Sequence, residues 1–159
     1  MLYTFTVAFT LLSDVSIFVD LPDPNSIELA KLYSLEFYRK LRRCLSADGV
    51  AVVQATSPFH AKETFLCIRR TMAAAGLRTL PYHDNVPSFG DWGWILANAK
   101  GEWRGRGEIE VPTSYLTPEL IQRSRAFGRD WLTSGFSDVS TLMQPVVLQR
   151  YLDAGWKVE

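Results

Sequence analysis

The sequence predicts an α/β fold: the C-terminal half of an open doubly wound sheet, mostly parallel, with an antiparallel pair at one edge. Three observations lead there. Short apolar runs at Ser16–Val19 and Val50–Val53 each end in a polar residue, Asp20 and Gln54, as buried parallel strands do where they open into loops. Each run is followed by a stretch whose apolar residues recur at helical spacing. Two further strand runs, Leu77–His83 and Trp92–Ala97, flank the turn-rich stretch Asn85–Asp91, which suits an antiparallel pair.

Taken in order, the first twelve residues are apolar, but a membrane-spanning helix needs about 20. They also lack the basic start and small-residue cleavage site of a signal peptide. The alternation Tyr3-Thr4-Phe5-Thr6-Val7 reads as a strand, and residues 1–13 are set apart as an N-terminal strand or extension. After Ser16–Val19 and the loop Leu21–Pro24, Asn25 is placed to cap a helix, with Glu28 three residues on completing a capping box. One helix is expected from there to Asp48-Gly49, packing Ala30, Tyr33, Phe37, Leu41, Cys44 and Leu45 against the sheet. The strand Val50–Val53 leads to Ser57, a candidate cap, and Pro58, suited to a first helical turn; Gly76 ends that second helix. Residues 14–99 form the predicted sheet domain. Residues 100–159 are read as a helical extension packing on it, with one helix starting at Thr117-Pro118-Glu119 and another in Gln144–Ala154.

The composition excludes several functions. With 47% apolar residues, 159 positions suffice for one domain with a core. Seventeen basic and 17 acidic residues give zero formal charge without long runs of either sign, which argues against nucleic-acid binding. Cys44 and Cys67 fall in helical patterns without C-x-x-C spacing, so they are read as buried thiols in a reducing compartment, the cytoplasm. His60 and His83 have no metal-ligand spacing and are read as structural. Ser57, Ser88 and Ser114 lack the context of a nucleophile. Lys40, Arg42, Arg43, Arg69 and Arg70 are assigned to solvated helix faces.

The chemistry-bearing candidates gather at the carboxyl ends of the strands, where open α/β sheets bind ligands. Asp20 ends its strand, and Asp23 follows in a loop stiffened by Pro22 and Pro24. Two fixed carboxylates suit an aliphatic amine, which needs charge-assisted acceptors and must lose a proton to become a nucleophile. The same spacing equally suits a helix cap and a strand end in solvent. In Val86-Pro87-Ser88-Phe89-Gly90-Asp91-Trp92-Gly93, Phe89 and Trp92 offer apolar surface to a methylene chain; the simpler reading is a turn whose aromatics close the core. Gln54 either bonds a ligand or decorates its loop.

Read together, Val19-Asp20-Leu21-Pro22-Asp23-Pro24, Glu36-Phe37-Tyr38, Asp48-Gly49-Val50, Gln54, Val86-Pro87-Ser88-Phe89 and Gly93-Trp94-Ile95-Leu96-Ala97 resemble the polyamine aminopropyltransferases, or spermidine synthases. The similarity runs from Asp14 to Ala97, nearest to a bacterial group often fused to membrane spans. It implies a Rossmann-like sheet of the methyltransferase type. It also implies transfer of an aminopropyl group from decarboxylated S-adenosylmethionine, as cosubstrate, to a diamine such as putrescine, without metal or resident cofactor. By position Asp20 matches the catalytic acid and Asp23 its partner in amine binding, with Gln54, Phe89 and Trp92 around the substrate. Phe89 stands where many members have tyrosine.

In this fold the nucleoside is held by a glycine-rich loop and an acidic residue that should precede Asp14. Neither is present here, so a shortened family member with weak or no activity of its own is expected. The alternative is a non-catalytic remnant that binds a polyamine or docks onto a partner, or onto its own copy, along the flank of the Ser16–Val19 strand. A methyltransferase reading is disfavoured by the D-x-x-D-P loop, since methyl transfer needs no paired site for a diamine.

Overall fold

The computed structural model describes residues 16–101 and 111–155. The expected strand at Tyr3–Val7, Asp14 and the first part of the C-terminal extension lie outside these residues. Four strands, β1 (Ser16–Val19), β2 (Val50–Gln54), β3 (Arg78–Val86) and β4 (Gly90–Asn98), form one sheet in the order β1-β2-β4-β3. β1 and β2 are parallel, and β4 runs antiparallel to both β2 and β3. This is the predicted α/β sheet with its antiparallel edge pair, but among the described strands only one of the three pairings is parallel where a mostly parallel sheet was expected, because β4 returns from the hairpin to lie beside β2.

Strand alternation divides the apolar residues between two faces. Ile17, Ala51, Val53, Ile95 and Ala97 are buried on one, beneath α2 (Leu35–Cys44) and α3 (Lys62–Ala74), which contribute Tyr38, Leu41, Phe65, Ile68 and Met72. The other face carries Phe18, Val52, Leu96 and Leu80 in one row across the four strands, with Gln54, Trp94 and Tyr82 in the row beside it. Among the described residues no helix covers it, and Phe18 remains 55% exposed.

The single helix expected after Pro24 is broken. Ser26, rather than Asn25, caps the short α1 (Ile27–Ala30) by accepting from the Leu29 amide, and a 3-10 turn follows at Lys31–Tyr33. The chain then extends at Ser34, whose hydroxyl oxygen caps α2 at Phe37. The cause is tertiary: the Leu35 amide donates to the carbonyl of Ser140, 105 positions further on, at 2.8 Å. A buried serine able to cap, met by that acceptor, outweighs continued helical bonding. The Ser57 side chain caps a turn through Phe59 and His60, and regular helix begins only at Lys62. α3 ends as predicted at Gly76, which has φ of +85°.

The turn-rich stretch is shorter than expected. β3 and β4 stay paired to Val86 and Gly90, leaving Pro87, Ser88 and Phe89 as the loop. The Phe89 amide donates to the Val86 carbonyl, and Gly90 takes a left-handed φ of +74°, a three-residue hairpin closed by a bulge.

The C-terminal segment holds α4 (Pro118–Arg123) and α5 (Val146–Asp153). α5 lies on α3, with Val147 fully buried. Asp138 buckles the segment down: Arg70 of α3 donates to it at 2.8 Å and Arg150 of α5 closes from the other side. Arg70 is therefore paired, not solvated as predicted, because a distant segment brings it a carboxylate. Cys67 is buried, but Cys44, the last residue of α2, is exposed, a second departure from the sequence reading.

Candidate functional site at the strand rim

The parallel register Val19↔Val53 sets Asp20 and Gln54 side by side at the carboxyl rim. Asp20 is exposed; Gln54 is only 6% exposed. Both line a cleft of about 560 Å³ that opens onto the uncovered sheet face. Its walls are aromatic: Phe18 and Tyr82 from outer strands, Phe89 from the hairpin tip, and Trp92 and Trp94 from β4. Tyr82 stacks on Trp94 with centroids 5.5 Å apart, and Phe89 meets Trp92 at 5.0 Å. Trp92 is largely buried and Phe89 is 42% exposed, so one braces the wall and the other forms its lip. Among the described lining residues no side chain is basic. A cleft of aromatic faces and a carboxylate, free of competing cations, favours a positively charged ligand.

Asp23 lies behind Gln54 rather than on the cleft wall. The Gln54 amide nitrogen donates to its Oδ1 at 3.1 Å, while the hydroxyls of Tyr151 and Thr56 donate to its Oδ2 at 3.1 and 3.4 Å. All three donors are uncharged. Burial raises the Asp23 carboxyl above its ordinary range, more than the bonds from Gln54, Tyr151 and Thr56 lower it. A carboxylate can only accept, so the Gln54 nitrogen must face it and the Gln54 oxygen must face away. That oxygen lies 3.1 Å from the hydroxyl of fully buried Tyr33, which is also 3.0 Å from the Pro22 carbonyl and 3.3 Å from that of Leu21. One phenolic proton thus ties the Asp20–Pro24 loop to β2. Burial holds this phenol well above the usual tyrosine range, as do the negative charges nearby, Asp23 and Asp20 among them.

Thr56 keeps its place through unusual backbone. Its φ is +62°, rare and strained for a β-branched residue, and its carbonyl accepts from the Gly93 amide at 2.9 Å while the Ala55 amide donates to the Gly93 carbonyl at 2.9 Å. This exchange carries the β2–β4 pairing past Gln54 and turns the Thr56 hydroxyl toward Asp23.

The structure thus gathers Asp20, Gln54, Phe89 and Trp92 around one cleft and sets Asp23 one layer back. Sequence reasoning missed Thr56 and Tyr151 as members. Tyr33 was legible only as a core residue of its helix, and nothing in the pattern links Tyr151 to a carboxylate 128 positions earlier. His83 stands apart: its ring nitrogens lie 2.7 Å from Asp91 Oδ1 and 2.9 Å from the Ala126 carbonyl, fastening the α4 region to the hairpin. Among the described residues no group of three His, Cys, Asp or Glu side chains could hold a metal ion.

Comparison with known proteins places these features in context. Residues 7–106 match the spermine/spermidine synthase domain. The chain is 40% identical over 152 residues to polyamine aminopropyltransferase 2 of Ralstonia nicotianae, covering 90% of this chain and 28% of that protein. It is 52% identical over 120 residues to the polyamine aminopropyltransferase of Shewanella oneidensis, covering 76% and 19%. The enzyme of that name from Oceanobacillus iheyensis is 38% identical over 158 residues, covering 94% and 31%. The chain therefore spans less than a third of the length of these relatives. A crystal structure of spermidine synthase in complex with the transition-state analogue AdoDATO superposes with a TM-score of 0.54 at 21% identity, over 64% of this chain and 39% of that one. That likeness supports the Rossmann-like fold expected from the sequence. The expected nearness to members with membrane spans gains no support, and among the described residues no helix is long and apolar enough to cross a membrane.

Proposed function

Because this chain belongs to the spermine/spermidine synthase domain family, we propose that its rim is the amine-binding half of an aminopropyltransferase site. The observation that carries this is the cleft itself, with aromatic walls, Asp20 and Gln54 at its mouth and no basic side chain among its described lining. A diamine such as putrescine would lay its methylenes along Phe89 and Trp92 and bring one amine to Asp20. The Asp20 carboxylate takes a proton from that ammonium. The freed nitrogen lone pair then attacks the methylene carbon bonded to the sulfonium of decarboxylated S-adenosylmethionine, the carbon–sulfur bond breaks toward sulfur, and methylthioadenosine leaves. No metal or resident cofactor takes part in this scheme. Asp23 serves the amine from behind, through Gln54 and through its charge. Two free cysteines, Cys44 and Cys67, fit a reducing, cytoplasmic setting.

Putrescine binding by calorimetry tests the reading. The chain should bind the diamine, and Asp20→Asn should weaken binding by about tenfold, the value of one charge-assisted bond. Equal affinity of both proteins would overturn it. Methylthioadenosine formation from decarboxylated S-adenosylmethionine, measured against the same variant, tests whether this chain completes the transfer.

A second reading, a non-catalytic domain that docks onto a partner or its own copy, is favoured by one observation. Among the described residues, the sheet face carrying Phe18 and Val52 has no helix over it and β1 lies at the edge of the sheet. Light scattering behind size-exclusion chromatography decides: a monomer at every concentration removes self-association, and no shift on adding diamine removes ligand-linked docking.

A further inference from the structure

We infer that Tyr151 is a positioning residue of this site, carried in by the C-terminal helix to hold the Asp23 carboxylate and, through it, the Gln54 amide against the cleft. The inference rests on the amine-binding reading above.

Three features carry it. First, Tyr151 is the better of the two donors on Asp23 Oδ2, at 3.1 Å against 3.4 Å from Thr56. Without it that oxygen keeps only the longer bond, offered from strained backbone. Second, the seat of Tyr151 is built independently of Asp23. The Ser140 hydroxyl accepts from the Val147 amide at the start of α5, the Ser140 amide donates to Thr71 of α3, and Asp138 bonds Arg150 and Arg70. The helix therefore presents the phenol to the carboxylate, and the carboxylate does not position the helix. Third, the donor is neutral. Burial and the Asp23 charge push the Tyr151 phenol well above the usual tyrosine range, so it remains a donor at any working pH. A lysine or arginine in its place would cancel the negative charge that an ammonium ligand needs. A phenol satisfies the oxygen and leaves the charge. The titratable groups around Asp23 are Tyr151 from α5, Tyr33 from the 3-10 turn and Asp20 across the loop.

The substitution Tyr151→Phe keeps the ring and removes the donor. Two measurements on the full chain separate this inference from the functional reading. NMR of the Asp23 carboxyl and the Gln54 side-chain amide needs no ligand. In Tyr151→Phe the Asp23 titration midpoint should move up and the Gln54 amide resonances should shift; if both stay as in the unaltered protein, the inference is overturned. Calorimetry with putrescine should show affinity reduced by about tenfold, and Tyr151→Phe combined with Asp23→Asn should bind no worse than Asp23→Asn alone. Additive losses, or unchanged affinity beside shifted resonances, would also overturn it. If the unaltered chain binds no diamine, the functional reading fails while the NMR arm still decides whether Tyr151 orients Asp23. Should Tyr151→Phe not fold, the unaltered protein carries the test: the Tyr151 ring resonances must titrate with the midpoint of the Asp23 carboxyl, and a different midpoint refutes the coupling.

Discussion

Replacing Gly93 by alanine probes the joint between the fold and the site. A methyl group there would lie 2.6 Å from Phe65 Cε2, 2.9 Å from Phe65 Cδ2 and 2.9 Å from the Thr56 carbonyl oxygen. Comfortable carbon contacts begin near about 3.5 Å, so something must move by roughly 1 Å. Neither neighbour gives easily. Phe65 is fully buried, with Phe127 packed near its ring at 6.2 Å, and Thr56 is backbone already held by the Gly93 amide. Overpacking of this kind costs up to about 3 kcal/mol, while exchanging glycine for alanine in a strand returns about 0.5–1 kcal/mol of chain entropy. The net loss is about 2 kcal/mol, or roughly 4–8 °C in Tm for a chain of this size. Differential scanning calorimetry measures it, with Gly135→Ala as control, since a methyl group at Gly135 meets nothing within 4 Å. A change in Gly93→Ala no larger than in Gly135→Ala would refute the close packing of β4 against Phe65 and Thr56. Because the strain falls on Thr56, putrescine affinity should fall with stability.

The remaining predictions concern charge and strain. Burial raises the Asp23 carboxyl, so the fold favours its protonated form: its contribution is full below the unfolded value near 3.8 and is lost as pH rises through the folded value. Asp23→Asn should therefore melt higher than the unaltered protein at pH 7 yet bind putrescine less well, and a lower melting point at pH 7 would count against the buried charge. Asp138 has the opposite sign. Burial pushes it up, but the bonds from Arg150 and Arg70 outweigh burial and hold it below its ordinary value. Its contribution is present above the unfolded value near 3.8 and is lost as pH falls through the folded value, so Asp138→Asn should lower the melting point at pH 7, and the difference should shrink as the pH falls below 3.8. Thr56→Gly should leave stability within about 1 kcal/mol, because relief of the left-handed φ offsets the lost hydroxyl bond and the added chain entropy. A urea titration showing a larger loss would mean that the Thr56–Asp23 bond is stronger than its 3.4 Å length implies.

The sheet was legible because its signals are local. Ser16–Val19 and Val50–Val53 are short runs rich in apolar residues that end in polar ones, and the Gly76 stop and the β3–β4 pair follow from residues near each other in the chain. Errors arose where a distant segment intervened. Helical spacing continues through Ser34, but the Ser140 carbonyl takes the Leu35 amide and splits the helix. Arg70 has the pattern of a solvated face until Asp138 arrives from the other end of the chain. The site divides in the same way. Asp20, Gln54, Phe89 and Trp92 sit at strand ends and a hairpin tip, positions that a strand reading locates. Thr56 depends on a left-handed backbone that no threonine advertises, and Tyr151 depends on where α5 lands.

The two carboxylates, equivalent in the motif, are separated by the fold. Asp20 is exposed at the mouth of the cleft, open to both ligand and water. Asp23 is held by three donors, two at the end of β2 and one on α5, and lies behind Gln54, so it has neither the freedom nor the access of a base. What it keeps is charge, since none of its donors is cationic and the surrounding rings screen it less than water would. Its field reaches the cleft through the Gln54 amide, whose oxygen is fixed by Tyr33 and whose nitrogen is fixed by Asp23 itself. Under the proposed reading, an exposed carboxylate would take the proton and a buried one would supply the field, so that one rim would both attract a diamine and deprotonate it. On the inference drawn for Tyr151, the C-terminal helix, remote in sequence, would belong to the site as well.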